Sequence, residues 1–227
     1  MFLAYIAFAV LSWESFGATI GPAFFPSAGV TVAAMLLTRR QLWPAVVLAI
    51  VLSELLVDLY YGESLITAAG YVTANVVEPL IGASLVLAWC GGSPDLRRRR
   101  DLTAFLGGAC LIAPLVGGLI GGWVTARSND GSWPADVAHW AAGDGIGVLV
   151  VAAPILLWPR QSELLRSRRG ETIAMLAATA LVSLIAFGTD WPPALLILPV
   201  LAWGAFRLNM IGASLAGVII ADRKSVV

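Results

Sequence analysis

The chain has 227 residues, 59% of them hydrophobic and 12% charged, with equal acidic and basic side chains and a formal net charge of zero. Soluble domains run about 45–50% apolar and about 25% charged, so this composition excludes an ordinary soluble protein. The neutral total gives no reason to expect a nucleic-acid partner.

Mean hydropathy is +0.87, and apolar runs of about 20 residues follow one another with short breaks, as membrane-crossing helices require. A membrane β-barrel would show two-residue alternation in shorter segments, which this sequence lacks. The expected fold is therefore all-α, a polytopic transmembrane helix bundle of about eight helices plus an incomplete ninth. The pattern predicts helices over 2–17, 25–38, 42–60, 65–90, 102–124, 138–158, 171–188 and 193–207, with a ninth starting near 209. The first run lacks the basic start and small-residue cleavage site of a signal peptide, so it reads as a first membrane helix. Pro26 suits the first turn of the short second helix. Cys90 and Cys110 fall near or inside predicted spans and read as small apolar residues rather than as a disulfide.

Arginines are sorted by side. Arg39 and Arg40, Arg97 to Arg100, the group Arg160, Arg166, Arg168 and Arg169, and Arg207 all fall on one face if the helices alternate. The other face has Arg127, with Asp58, Glu63, Asp130, Asp136 and Asp190 nearby. The positive-inside rule then puts the arginine breaks and the N-terminus in the cytoplasm. The run Arg97 to Arg100 reads first as a topology anchor with some attraction for anionic lipid.

A charged side chain at mid-bilayer costs roughly 2.5–3.5 kcal/mol on insertion scales, so each acid in an apolar run needs a reason. The acids are Glu14, Glu54, Glu78 and Asp144. In "TANVVEPLIG", Asn75 and Glu78 are one helical turn apart and share a face with Tyr71 and Gly82. Pro79 has no N–H, so the Asn75 carbonyl loses its helical donor. This face must point into protein or a wet cavity. It is either a ligand, ion or proton site or a kink tied to a neighbour. On the third helix, Asp58 is expected at the outer interface. Glu54 lies deeper and is expected to act as a hydrogen-bond donor in the packed bundle. "HWAAGDGIG" places His139 and Trp140 at the interface, with Asp144 among Gly143, Gly145 and Gly147, which admit a close backbone. A binding role and a packing role both remain open there. His139 is the only histidine, and the further ligands of a metal site are missing. Gly117 with Gly121, and Gly118 with Gly122, form GxxxG pairs for tight helix packing. No phosphate-binding loop, metalloprotease, nucleophile-elbow or paired-cysteine motif is found, so neither catalytic residues nor a cofactor is expected.

The final residues, "DRKSVV" (222–227), interrupt an apolar run. Read back into codons they spell the start of a common sequencing adapter. Residues 1–221 are accordingly expected to be the membrane domain, with 222–227 a non-native tail.

Four segments in order resemble the membrane-associated sensor domain family, first type. They are "FPSAGVTVAAMLLTRRQLWPAVVLA", "ANVVEPLIGASLVL", "WAAGDGIGVLVVAAPILL" and "LPVLAWGAFRLNMIGASLA". The resemblance covers about residues 5 to 221. It implies that Pro26, Gly29, Asn75, Glu78, Trp140, Asp144, Gly147 and Arg207 are motif positions, with Pro79, Gly143 and Pro154 inside the same segments. Phe25 stands where the family often has tryptophan. The implied role is a bacterial inner-membrane sensory module preceding a histidine kinase or diguanylate cyclase output, absent from this chain, through which the protein would dimerise. The implied partners are the bilayer and an undefined small-molecule or protein stimulus. The alternative is a small-solute transporter, which the buried carboxyls, Pro79 and a faint repeat of helices two–three in eight–nine would also suit.

Overall fold

The structure, a computed structural model, describes residues 1–16, 24–129, 131–187 and 197–224. Asp130, Asp190, the expected start of the eighth helix at 193 and the end of the tail lie outside the described residues. The chain divides into two compact units, Met1–Ala152 and Ala153–Val227.

The first unit contains α1 (Phe2–Phe16), α2 (Pro26–Leu37), α3 (Trp43–Tyr60), α4 (Leu65–Cys90), α5 (Arg99–Ser128) and α6 (Trp133–Gly147). Prolines stand in the first turns of α2, α3 and α6, where no helical donor is lost. The Ser64 hydroxyl caps α4 by accepting from the Thr67 N–H at 3.1 Å. Gly91, with φ of 73°, closes α4 in the left-handed conformation, and its N–H bonds back to the Leu87 carbonyl.

Two stretches wind more loosely, as π-helix: Phe105–Ile112 within α5 and Val148–Ala152 beyond α6. Each runs up to a proline, Pro114 or Pro154. The missing proline N–H frees a carbonyl one turn upstream, and the helix widens to accommodate it.

Ten of the twelve residues of α2 are buried, so this short helix is a post with α1, α3, α4 and α6 packed against it. At a rise of 1.5 Å per residue it is about 18 Å long, too short to cross a bilayer. On the outside, Leu48, Leu52 and Leu56 of α3 and Leu111, Leu115 and Leu119 of α5 are exposed at four-residue spacing. Such stripes would aggregate in water and are the natural face toward lipid.

The second unit contains α7 (Ala153–Ser167), α8 (Arg169–Phe187) and α9 (Ile197–Lys224). Asn209 interrupts α9 with φ 56° and ψ −158°. The Gly204 backbone packs against that of Gly212, eight residues on, so α9 is two helices folded upon each other. The sequence expectation of a break near 208 holds.

Six helical runs among the described residues are long and apolar enough to cross a membrane: Arg40–Tyr60, Leu65–Cys90, Arg99–Ser128, Trp133–Ser167, Arg169–Ala186 and Ile197–Ile220. The last is the run folded at Asn209. With α6 and α7 counted as the single run Trp133–Ser167, the architecture is the expected bundle of about eight helices.

Two details differ from the expectation. The fifth and sixth helices extend well beyond 102–124 and 138–158. Arg160 and Arg166, expected in a break, lie on α7. Hydropathy marks only the apolar part of a helix, while backbone hydrogen bonding continues through the charged turns that follow.

Candidate functional site

The first unit buries a cluster of acids that arrive on different helices. Glu54 of α3 accepts from the Tyr5 hydroxyl of α1 at 2.5 Å and from the Asn75 side-chain amide of α4. One carboxyl group therefore ties three helices together. It acts as an acceptor at both oxygens, which corrects the expectation that Glu54 donates: its neighbours carry the donor hydrogens.

Asp58, one turn further along α3, is only 2% exposed. Neighbouring helices cover it, so this carboxyl group is enclosed by protein although it stands near the end of α3. Its Oδ2 has no hydrogen-bond partner among the described residues. Glu14 differs from the expectation. It sits exposed near the end of α1 and accepts from the Tyr61 hydroxyl at 2.8 Å. Burial and the Glu14 carboxyl push that hydroxyl up to about 12.

Glu78 lies deepest, at 1% exposure. It packs on the bare face of Gly117, where a Cβ would come within 2.7 Å of Oε2. The missing side chain makes the pocket for the carboxyl group. Glu78 and Asp144 of α6 are close electrostatic neighbours. A hydrogen bond between two carboxyl groups needs a proton on one of them. No donor reaches either Glu78 oxygen or Asp144 Oδ2 among the described residues. The Trp140 ring N–H approaches Asp144 without reaching hydrogen-bond geometry.

Of these groups, Glu54, Asp58, Asn75 and Asp144 line a cavity of about 80 Å³. Its walls carry Glu54, Asp58, Glu63, Asp136, His139 and Asp144, the polar Asn75, Thr125 and Asn129, and the rings of Trp13, Phe25, Tyr71 and Trp140. The Tyr71 and Trp140 rings lie 5.4 Å apart, and Trp13 stacks on Tyr61 at 4.9 Å. The lining comes from the C-terminal ends of α1, α3 and α5, from Phe25 just before α2, from Glu63 between α3 and α4, from the first half of α4, and from α6 between Asp136 and Asp144. The cavity thus lies at one end of this unit, while Arg39, Arg40 and Arg97 to Arg100 lie at the other. There Arg97 pairs with Asp95 at 2.7 Å and Arg100 donates to the Trp89 carbonyl.

The glycine-rich positions build the seam beside the cavity. The Phe25 N–H donates to the Gly143 carbonyl at 3.2 Å. Gly147 lies directly against the Phe25 carbonyl, and Gly29 against the Gly147 carbonyl. Gly118 and Gly122 of α5 lie against the α6 backbone near Val137, and Gly121 lies under the Trp140 ring. The GxxxG pairs therefore serve packing within the chain.

Of the residues singled out from sequence, Glu54, Asn75, Glu78 and Asp144 converge, and Trp140 and His139 line the cavity. Pro26, Gly29, Gly143 and Gly147 form the seam, and Pro79 is buried next to Glu78. Pro154 and Arg207 belong to the second unit, where Arg207 Nε pairs with Glu171 at 2.6 Å. Tyr5, Trp13, Thr125 and Asp136 were not foreseen. Tyr5 carried a signal, a polar tip in an apolar helix, but nothing in the sequence names its partner.

The profile of a family described as MASE1, a membrane sensor domain, matches residues 1–221. The chain is also 26% identical over 210 residues to the probable diguanylate cyclase DgcE of Escherichia coli (strain K12). That alignment covers 90% of this chain and 18% of the relative, so the chain spans 18% of that protein's length. No solved structure gives a significant match.

Proposed function

The chain belongs to the MASE1 family, and from that premise we propose that it is the sensory input of a bacterial signalling protein with a histidine kinase or diguanylate cyclase output. The likeness to a probable diguanylate cyclase supports the cyclase type. In this reading the domain sits in the inner membrane with its N-terminus and arginine breaks in the cytoplasm. The cavity then faces outward, and the output domain dimerises beyond this chain.

The observation that carries the reading is the set of buried carboxyls joining separate helices beside a cavity. Glu54 links α1, α3 and α4, and the Glu78–Asp144 contact links α4 to α6. A stimulus that changes the partners of these groups favours one helix arrangement over another, and a switch requires just such differential interaction with two states.

The test uses the full-length protein, with Glu78→Gln and Asp144→Asn introduced separately. Output is read as kinase phosphorylation or cyclic di-GMP, and membrane level by immunoblot. Output is expected to shift by about fivefold or more, the low end of typical coupling, at unchanged membrane level. Wild-type output in both variants contradicts the reading.

A further inference from the structure

We propose that the cavity in the first unit binds a small organic cation bearing an ammonium or guanidinium group. The proposal rests on the sensory reading above and names the chemistry of its stimulus.

Five carboxyl side chains line the cavity, and no lysine or arginine does so among the described residues. Two of the five, Asp58 and Asp144, are 2% and 3% exposed, and each leaves one oxygen without a hydrogen-bond partner among the described residues. A buried acid without a partner is costly unless something supplies hydrogens or counter-charge. Here the missing complement is a positively charged donor from outside. Asp58 Oδ2 and Asp144 Oδ2 are free to accept from an N–H of such a group.

The remaining wall is aromatic. Trp13, Phe25, Tyr71 and Trp140 line the same space, and aromatic rings attract ammonium and guanidinium groups. Rings offer nothing comparable to an anion and no coordination to a hard metal ion. Among the described residues, no three His, Cys, Asp or Glu side chains converge as metal ligands. At about 80 Å³, the cavity exceeds the roughly 10–15 Å³ that one water needs, yet it is small enough to select a compact ligand. Glu63, in the connection between α3 and α4, and Asp136, in the first turn of α6, would draw a cation toward the interior by their field.

The experiment titrates the purified chain in detergent and follows tryptophan fluorescence, with Trp140→Phe identifying the signal from the cavity. The probes are methylguanidinium and tetramethylammonium chloride. Acetamide is the neutral control, sodium acetate the anionic control and sodium chloride the salt control. A saturable response to either organic cation, absent with all three controls, is expected. Asp58→Asn should weaken binding about tenfold or more. Should Asp58→Asn fail to fold, the half-buried Glu63→Gln serves instead, with an expected loss of about threefold. The proposal is overturned if neither cation gives a saturable response, if any control matches the cations, or if a folded variant binds as tightly as wild type. A null titration with signalling still altered by Asp144→Asn removes the cation and leaves the sensory reading intact. Saturable cation binding with unaltered signalling supports the proposal and contradicts that reading.

Discussion

Glu54 shows how a single ionisable side chain is accommodated in an apolar bundle. Its two oxygens are satisfied by donors from two different helices, the Tyr5 hydroxyl and the Asn75 amide. Leaving a buried acceptor without its donor costs about 1–3 kcal/mol. Tyr5→Phe, which removes one oxygen and little volume, should therefore destabilise the protein by about that amount in a denaturant titration in detergent. Unchanged stability would show that the Tyr5 bond contributes nothing. The residues of this cluster were legible in the sequence to different degrees. Glu54, Asn75, Glu78 and Asp144 stood out because charge and amide groups in apolar runs must find partners. Tyr5 and Trp13 did not, because an aromatic ring in an apolar helix is equally at home facing lipid. Nor could spacing reveal that Asp58 is covered: the covering helices come from elsewhere in the chain.

At the scale of helices, close approach and interruption position the site. Gly147 touches the Phe25 carbonyl so closely that a methyl group must displace one of the two backbones. Such overpacking costs about 1–3 kcal/mol. Gly147→Ala should lower the melting temperature in detergent, whereas Gly170→Ala, with open space around its Cβ, should leave it unchanged or raise it. Equal effects would remove the seam between α2 and α6 as a cause of stability. Asn209 occupies a backbone region suited almost only to glycine, which stores about 1–3 kcal/mol. Gln161 steadies this turn by accepting the Ile211 N–H at 3.0 Å. Asn209→Gly should raise thermal stability and Asn209→Val lower it; the reverse order would deny the strain. Most helices could be read from hydropathy to within a few residues because lipid demands long apolar runs. Their charged extensions, such as the Arg160 to Arg166 turns of α7, could not, since hydropathy carries no information about where backbone bonding stops. The π-helical stretches before Pro114 and Pro154 also leave no apolar signature.

For the molecule as a whole, orientation decides what the cavity can sense. In the proposed orientation, with the arginine breaks inside, the 91–98 break is cytoplasmic and the 129–132 break lies outside. In a background lacking Cys90 and Cys110, Ser132→Cys should react with a membrane-impermeant maleimide on intact cells, and Ser93→Cys only after lysis. Both serines are exposed, so the contrast reports topology rather than burial, and the opposite labelling would invert the domain. The family, the bundle and the sorting of charge were all readable from sequence because each is a property of long segments. The cavity was not, since it forms where distant segments of the chain meet.

The central claim is that α4 and α6 share one buried carboxyl pair and that this pair sets the signal. It is tested most directly by a double-mutant cycle on output. Full-length Glu78→Gln, Asp144→Asn and the double variant are compared at equal membrane level. The account predicts a clear shift in each single variant and no further shift in the double, because the two groups act as a unit. Wild-type output in all three, or single effects that simply multiply in the double, would contradict it.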